Sequence, residues 1–386
     1  MDPRVLFVSN GHGEAAIADR IAREVRALDS GVVIDHLPLV GESRAEYMHE
    51  VGPRRSMPSG GLIAMGNVAN ITRDVRGGLL GVTLEQRRFL TDQRGVYARA
   101  VAIGDVFALF MALSVRAPTT FVGTAKSVRV APYGPFERRV LRRADAIFVR
   151  DEATAERLRA HGVDARAPGN VIVDLFVVTD DPRADAAVAN FAPAIALFPG
   201  SRESSYEDAR FLAGVVRSIA PVRPTLGAVL SIAPLLDPQR FATMLRNDRW
   251  QVDDVGDAHL PFVLRKGERT LIRAWHGAIG PLLSRVQIVM GQAGTANEAA
   301  ASAGVPVVAF QRDQDRKTQW YRMRQHRLLG DALLVLPADP LGAAAGLGAL
   351  LDDVPRRVTM GSQGRERMGG PGGAHAIALD IVERIA

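Results

Sequence analysis

Four short stretches carry residues whose types and spacing suit chemistry. "SNGHGE", Ser9 to Glu14, places Asn10, Gly11, His12, Gly13 and Glu14 where an apolar run gives way to an amphipathic one. "VAIGDVFALF" sets Asp105 among Ile103, Val106 and Phe107. A lone acid there can serve as a general base or as the N-cap of a helix Val106–Val115. "FPGSRESS" offers Gly200 for close backbone approach, the Ser201 hydroxyl and the planar Arg202 cation. "GQAGTANE" breaks an apolar run with Gly291, Gln292, Ala293 and Gly294 before Thr295 and Glu298. If a helix starts there, its first N–H groups point outward and form a seat for an anion.

Each stretch also has a purely structural reading. Thr295 followed three residues later by Glu298 spells a capping box. Ser204 or Ser205 can cap the next helix, with Glu207 or Asp208 completing a box. Glu14 near a helix start is favourable through the dipole alone, whereas His12 gains little there. None of the turns reads GxxxxGK[ST] or GxGxxG, which disfavours an ATPase or a dehydrogenase. No HExxH occurs, and Asp253-Asp254 and Asp352-Asp353 fall in polar connecting regions, so no metal site is expected.

The elements that must position these residues are legible in the alternation of the chain. Short runs rich in Val, Ile and Phe recur at Val5–Val8, Val32–Leu37, Ala100–Ile103, Thr119–Val122, Ala146–Val149, Ala194–Phe198, Ala228–Ile232, Gln287–Met290, Val305–Phe310 and Leu333–Leu336. Helical patterns separate them. Uniformly apolar runs of this length imply parallel strands covered on both faces, hence a doubly wound α/β architecture. At Thr179–Pro193 proline, aspartate and alanine replace strand residues, and a domain boundary is expected there. Strand, glycine turn and helix then restart. "GSQGRERMGGPGG" reads as a glycine-rich connection to a last helix from about Ala374.

At 386 residues the chain exceeds one ordinary core and suits two domains. With 47% hydrophobic and 23% charged residues it has a globular composition. The absence of cysteine excludes disulfides and thiolate catalysis. The N-terminus reads as neither signal peptide nor membrane span, which gives a cytoplasmic expectation. The net charge of +6, carried almost wholly by arginine, suits anionic partners. Nucleic acid is disfavoured by an aromatic content of 6% and the lack of a stacking motif. Pro58–Leu90 mixes apolar residues, arginines and glycines and reads either as loop and core helix or as a membrane-touching surface.

"SNGHGE", "GSR", "AGTANEAAASAGVPVV" and "FQRDQDRKTQW" together resemble the GT-B glycosyltransferases, in particular the lipid-A-disaccharide synthase group, and more weakly the peptidoglycan lipid-linked GlcNAc transferase. The resemblance implies two Rossmann-like doubly wound domains facing a cleft: 1–180 for the acceptor and 181–365 for the UDP-sugar, with 366–386 as a helix packing back on the first. It assigns Gly200, Ser201, Arg202, Gln292, Gly294, Thr295, Glu298, Gln311, Arg316, Lys317, Thr318 and Gln319 to the donor, with Glu298 on the ribose. Lys317 and Thr318 stand where the peptidoglycan enzyme has glutamines. Asn10, Gly11 and Gly13 go to the acceptor, and Asp105 becomes the base, with His12 and Glu14 in reserve. The implied activity is an inverting, metal-independent transfer, with GlcNAc the expected sugar, to an amphiphilic or lipid-linked acceptor at an anionic membrane surface, with no cofactor. A UDP-GlcNAc 2-epimerase of the same fold and a non-catalytic nucleotide-sugar-binding protein are the alternatives.

Overall fold

The computed structural model describes residues 2–40, 46–53, 79–176, 180–311 and 316–386. The chain forms two compact units, Met1–Leu175 with Gly369–Ala386, and Phe176–Met368.

The first unit is built on strands β1 (Arg4–Ser9), β2 (Val33–Pro38), β3 (His49–Glu50), β4 (Arg99–Gly104), β5 (Thr119–Gly123) and β6 (Ala146–Val149). They lie in the order β3-β2-β1-β4-β5-β6 and all pair in parallel. Helices cover both faces, so β4 and β5 are buried at every position, as uniformly apolar strands require. The order reverses between β1 and β4, and open α/β sheets bind ligands at the strand ends beside such a reversal.

Helix His12–Leu28 packs along the C-terminal helix Gly373–Ile385. That helix is held at its start by the buried Asp174, whose carboxylate accepts from the N–H groups of Gly372 and Ala374, each at 2.6 Å. Charge-assisted bonds to helix-start amides are among the stronger ones available to a carboxylate.

The second unit carries β7 (Ala194–Phe198), β8 (Gly227–Ser231), β9 (Gln251–Asp254), β10 (Phe262–Lys266), β11 (Arg269–Trp275), β12 (Ile288–Gly291), β13 (Val307–Phe310) and β14 (Leu333–Leu336). Their order is β14-β13-β12-β7-β8-β11-β10-β9. Leaving out β9 and β10, the winding repeats that of the first unit, with the reversal now between β7 and β12. Helix Ser205–Ile219 buries Leu212, Val215, Val216 and Ile219 against this sheet, each contributing roughly 1.5–3 kcal/mol.

Three expectations need correction. The second sheet is not wholly parallel, because β10 runs antiparallel to both β9 and β11. Asp253 and Asp254 therefore sit in strand β9 rather than in a connection. This hairpin escaped the sequence pattern because it lies at the sheet edge, where half-buried Arg265 and exposed Lys266 replace an apolar run. Within Thr179–Pro193, where the boundary is expected, lies a short helix, Pro182–Val188, capped by Asp181, and its presence leaves that expectation as it stands. Much of "GSQGRERM" is not a connection either, since it completes helix Val354–Met368.

That last helix answers why "TANEAAASAG" is so rich in small residues. Gly361 and Gly364 lie directly on the carbonyls of Gly304 and Ala301, where any β-carbon would collide. Ala299, Ala300 and Ala301 are buried, and the Arg365 guanidinium donates to the Ala303 carbonyl at 3.0 Å. Helix Thr295–Ser302 is thereby clamped by close backbone packing.

Candidate functional site

In the first unit the reversal between β1 and β4 gathers Asn10, Gly11, Glu14, Gly104 and Asp105. Asp105 caps helix Val106–Ala112, with one carboxylate oxygen accepting from the Ala108 N–H at 3.0 Å. Its other oxygen accepts from the Asn10 side-chain amide at 3.0 Å. Capping and orientation coincide, and the carboxylate is fixed by donors from two elements. The helix is one turn shorter than the spacing suggests, because Leu113–Val115 is a 3₁₀ turn.

Glu14 lies in a slot made by two glycines with left-handed backbones, Gly11 at φ 125° and Gly104 at φ 118°. A β-carbon at Gly11 would come within 2.7 Å of Glu14 Oε2, and one at Gly104 within 2.8 Å of Glu14 Cγ. Burial, with help from the charge of Asp105, pushes the Glu14 carboxyl up to about 7, against the pull of its own backbone N–H. Tyr133, which the sequence reading passed over, brings a buried hydroxyl without a hydrogen-bond partner against Gly123 at the end of β5. Burial, then the charges of Glu137 and Asp105, raise its pKa and keep it neutral. Asn10 Oδ1 is likewise buried without a partner.

In the second unit the reversal between β7 and β12 gathers the loop after Phe198 and the loop after Gly291. They share an acceptor: the N–H groups of Gln292 and Ala293 both donate to the Phe198 carbonyl, at 2.9 and 3.3 Å. Ser201 and Arg202 are exposed. Glu203 pairs with Arg240, whereas Arg202 makes no ion pair among the described residues.

Both capping expectations fail. Ser204 occupies the N-cap without a side-chain bond, and the buried Ser205 hydroxyl instead accepts from the Arg202 N–H at 3.1 Å. The serine thus shapes the loop and not the helix start. Gly294, not Thr295, is the N-cap of helix Thr295–Ser302, which has no side-chain cap. Thr295 is the first helical residue and is exposed, so the Thr295–Glu298 box does not form. The reason is the chain's tight departure from β12, which ends the turn one residue early.

Two residues of helix Arg316–Leu329 that the motif reading missed converge on the same loop. The Tyr321 hydroxyl rests on Gly294. Its pKa is raised by burial first and by the charge of Glu298 second, and is opposed by Arg202, Arg322 and Arg324. Beneath the loop, the buried Arg322 bonds the side chain of Gln292, which also donates to the Phe310 carbonyl at 3.1 Å. A neighbouring aromatic and arginine inside a helix carried no signal of their own. Gln311 is partly buried beyond β13 and Gln319 is exposed on the helix. The side chains of His12, Arg316, Lys317 and Thr318 lie outside the described residues, as do residues 58–78 of the apolar and basic segment.

Among the described residues no group of three or more acidic or histidine side chains is placed to hold a metal ion. Among them, too, no helix is long and apolar enough to cross a membrane.

No family model and no curated protein sequence matches the chain. Solved structures do. The UDP-GlcNAc 2-epimerase of Neisseria meningitidis bound to UDP-GlcNAc is similar with a TM-score of 0.54 and 14% identity, covering 99% of each chain. MurG of Acinetobacter baumannii gives 0.58 and 12%, again over 99% of each. The S. aureus MnaA-UDP structure gives 0.59 and 12%, over 99% of this chain and 96% of the other. At such identities the likeness is one of fold. With the two doubly wound units it defines the class, a mixed α/β chain with a GT-B-like fold.

Proposed function

We propose that the protein is an inverting glycosyltransferase that moves a sugar from a UDP-sugar, with UDP-GlcNAc the first donor to test, to the hydroxyl of an amphiphilic acceptor. One observation carries this reading. The chain presents an uncapped helix start beside Arg202, which has no ion pair among the described residues, at one sheet reversal, and a doubly oriented carboxylate at the other. The first arrangement suits a pyrophosphate and the second suits removal of a proton.

In this reading the second unit binds the donor through Gly200, Ser201, Arg202, Gly294 and Thr295, with Glu298 accepting from ribose hydroxyls. The first unit binds the acceptor, and Asn10 orients Asp105. As the acceptor oxygen bonds the anomeric carbon, Asp105 takes the hydroxyl proton and the bond to the β-phosphate oxygen breaks. The departing UDP is stabilised by helix amides and Arg202. Because these groups supply the positive charge, turnover persists in EDTA. The acceptor class follows the resemblance to lipid-A-disaccharide synthase. Attachment to anionic membranes follows the apolar and basic character of Pro58–Leu90, and liposome flotation of a variant with Leu62, Ile63, Leu79 and Leu80 made polar tests it. Flotation equal to wild type refutes attachment.

A 2-epimerase acting on UDP-GlcNAc is the second reading, favoured by the Neisseria neighbour and by the second carboxylate, Glu14, beside Asp105. One assay separates the two. UDP release is followed over a panel of UDP-sugars with a total lipid extract, and the product is identified by mass spectrometry. A transferase needs the acceptor and leaves the sugar C2 proton unexchanged in deuterium oxide. Acceptor-free turnover with exchange at C2 and no net UDP marks the epimerase, and the absence of both UDP release and C2 exchange with every donor refutes both.

A further inference from the structure

Arg322 is 6% exposed, and the side-chain bonds of its guanidinium go to neutral amides. One guanidinium nitrogen donates to Gln325 Oε1 at 2.5 Å and another to Gln292 Oε1, while Nε is buried without a partner. Gln325 passes the contact on by donating to the Ala293 carbonyl at 2.9 Å. Gln292 does so by donating to the Phe310 carbonyl at the end of β13. Among the described residues no carboxylate lies within ion-pairing distance of Arg322. The charged or titratable groups that reach it are Asp208 of helix Ser205–Ile219 and its neighbour Tyr321.

Burying a cation among amides is costly, and apolar replacement of buried charges often leaves a protein as stable or more so. Bracing the loop is a task that neutral side chains could perform. The charge calls for a further reason, and its place directly under Gln292 and Ala293, one residue before the uncapped helix start, supplies one.

We propose that Arg322 is the buried counter-charge of a diphosphate seated on the Gly291–Gly294 loop, a positioning residue that makes the second unit prefer nucleoside diphosphates to less charged nucleotides. The inference rests on the reading of this loop as the donor site. Arg322 acts through Gln292 and Ala293 and through the field it adds to the helix amides, and its neighbour Tyr321 rests its hydroxyl on Gly294 at the same helix start.

Calorimetric titration of uridine, UMP and UDP into wild type, Arg322→Met and Arg322→Lys tests it. Arg322→Met is expected to weaken UDP about tenfold or more, ~1.4 kcal/mol, and uridine little. Arg322→Lys should recover part of the loss, and the melting temperature of ligand-free Arg322→Met should equal or exceed that of wild type. Should Arg322→Met fail to fold, Arg322→Lys and Arg322→Gln carry the same comparison. Unchanged UDP affinity, or an equal loss for uridine, UMP and UDP, overturns the proposal. If wild type binds no UDP, the donor-site reading falls, and inorganic pyrophosphate becomes the probe. Thermal protection by pyrophosphate that is present in wild type and lost in Arg322→Met then still supports the counter-charge. Protection equal in both proteins, or absent from both, overturns it.

Discussion

The two sheets are wound alike yet finish their reversal points in opposite ways. In the first unit the strand ends present acids, Asp105 and Glu14, held by side chains: the Asn10 amide on one carboxylate and two glycine slots around the other. In the second they present peptide amides and cations, held from behind by packing. Gly361 and Gly364 seat helix Thr295–Ser302 on backbone contacts, and Gln292, Arg322 and Gln325 brace the loop before it. The contrast teaches that one winding presents carboxylates or peptide amides according to which groups occupy the strand ends, and the proposed function gives the first to proton removal and the second to anion binding. It also shows that amides, which cannot be redirected by rotamer, need the more rigid support.

The sharpest way to break this contrast is Asp105→Asn. It keeps the cap and the shape but removes the proposed base, so turnover should fall by roughly 10²–10⁴ while UDP affinity stays constant. Turnover near wild type would move the base elsewhere.

Gly364→Val attacks the other side. Its new side chain meets the Ala301 carbonyl, and the second unit should lose about 1–3 kcal/mol in urea denaturation, with weaker UDP binding and an unaltered first unit. If UDP affinity survives that loss intact, the clamp is not what positions the helix start.

The last expected effect is a pH dependence confined to the acidic side. Glu14 holds its proton in the fold up to about 7 against an ordinary value of 4.5, so the folded state binds more protons than the unfolded chain between those limits. Its contribution is therefore complete at low pH and is lost as pH rises towards 7. Glu14→Gln lacks this loss. Melting temperatures of wild type relative to the variant should decline from pH 4.5 to 7 and level off above, and parallel curves would show that Glu14 is solvated.

The parts of the site that were legible are those whose signal is local. Gly11, Gly104, Gly200 and Gly291 end apolar runs, and each lies at or just beyond the end of a strand. Asp105 precedes a helix that it caps. What was misread also has a local cause: Thr295 and Glu298 have the spacing of a box, but the box needs Thr295 outside the helix, and the turn from β12 places it inside. Tyr133, Tyr321 and Arg322 were illegible because their meaning lies in contacts formed across the fold.

The sequence by itself determined most of the parallel strands, their burial on both faces and the glycine turns that expose backbone at their ends. These follow from hydrophobicity and backbone freedom, which act over a few residues. Only the tertiary structure decided that β9 and β10 run antiparallel, that Gly294 caps the helix, and that a cation thirty positions from Gln292 lies beneath its loop. Those outcomes depend on which surfaces meet and which polar atoms are left to satisfy one another once water is gone, and no short window of residues encodes that.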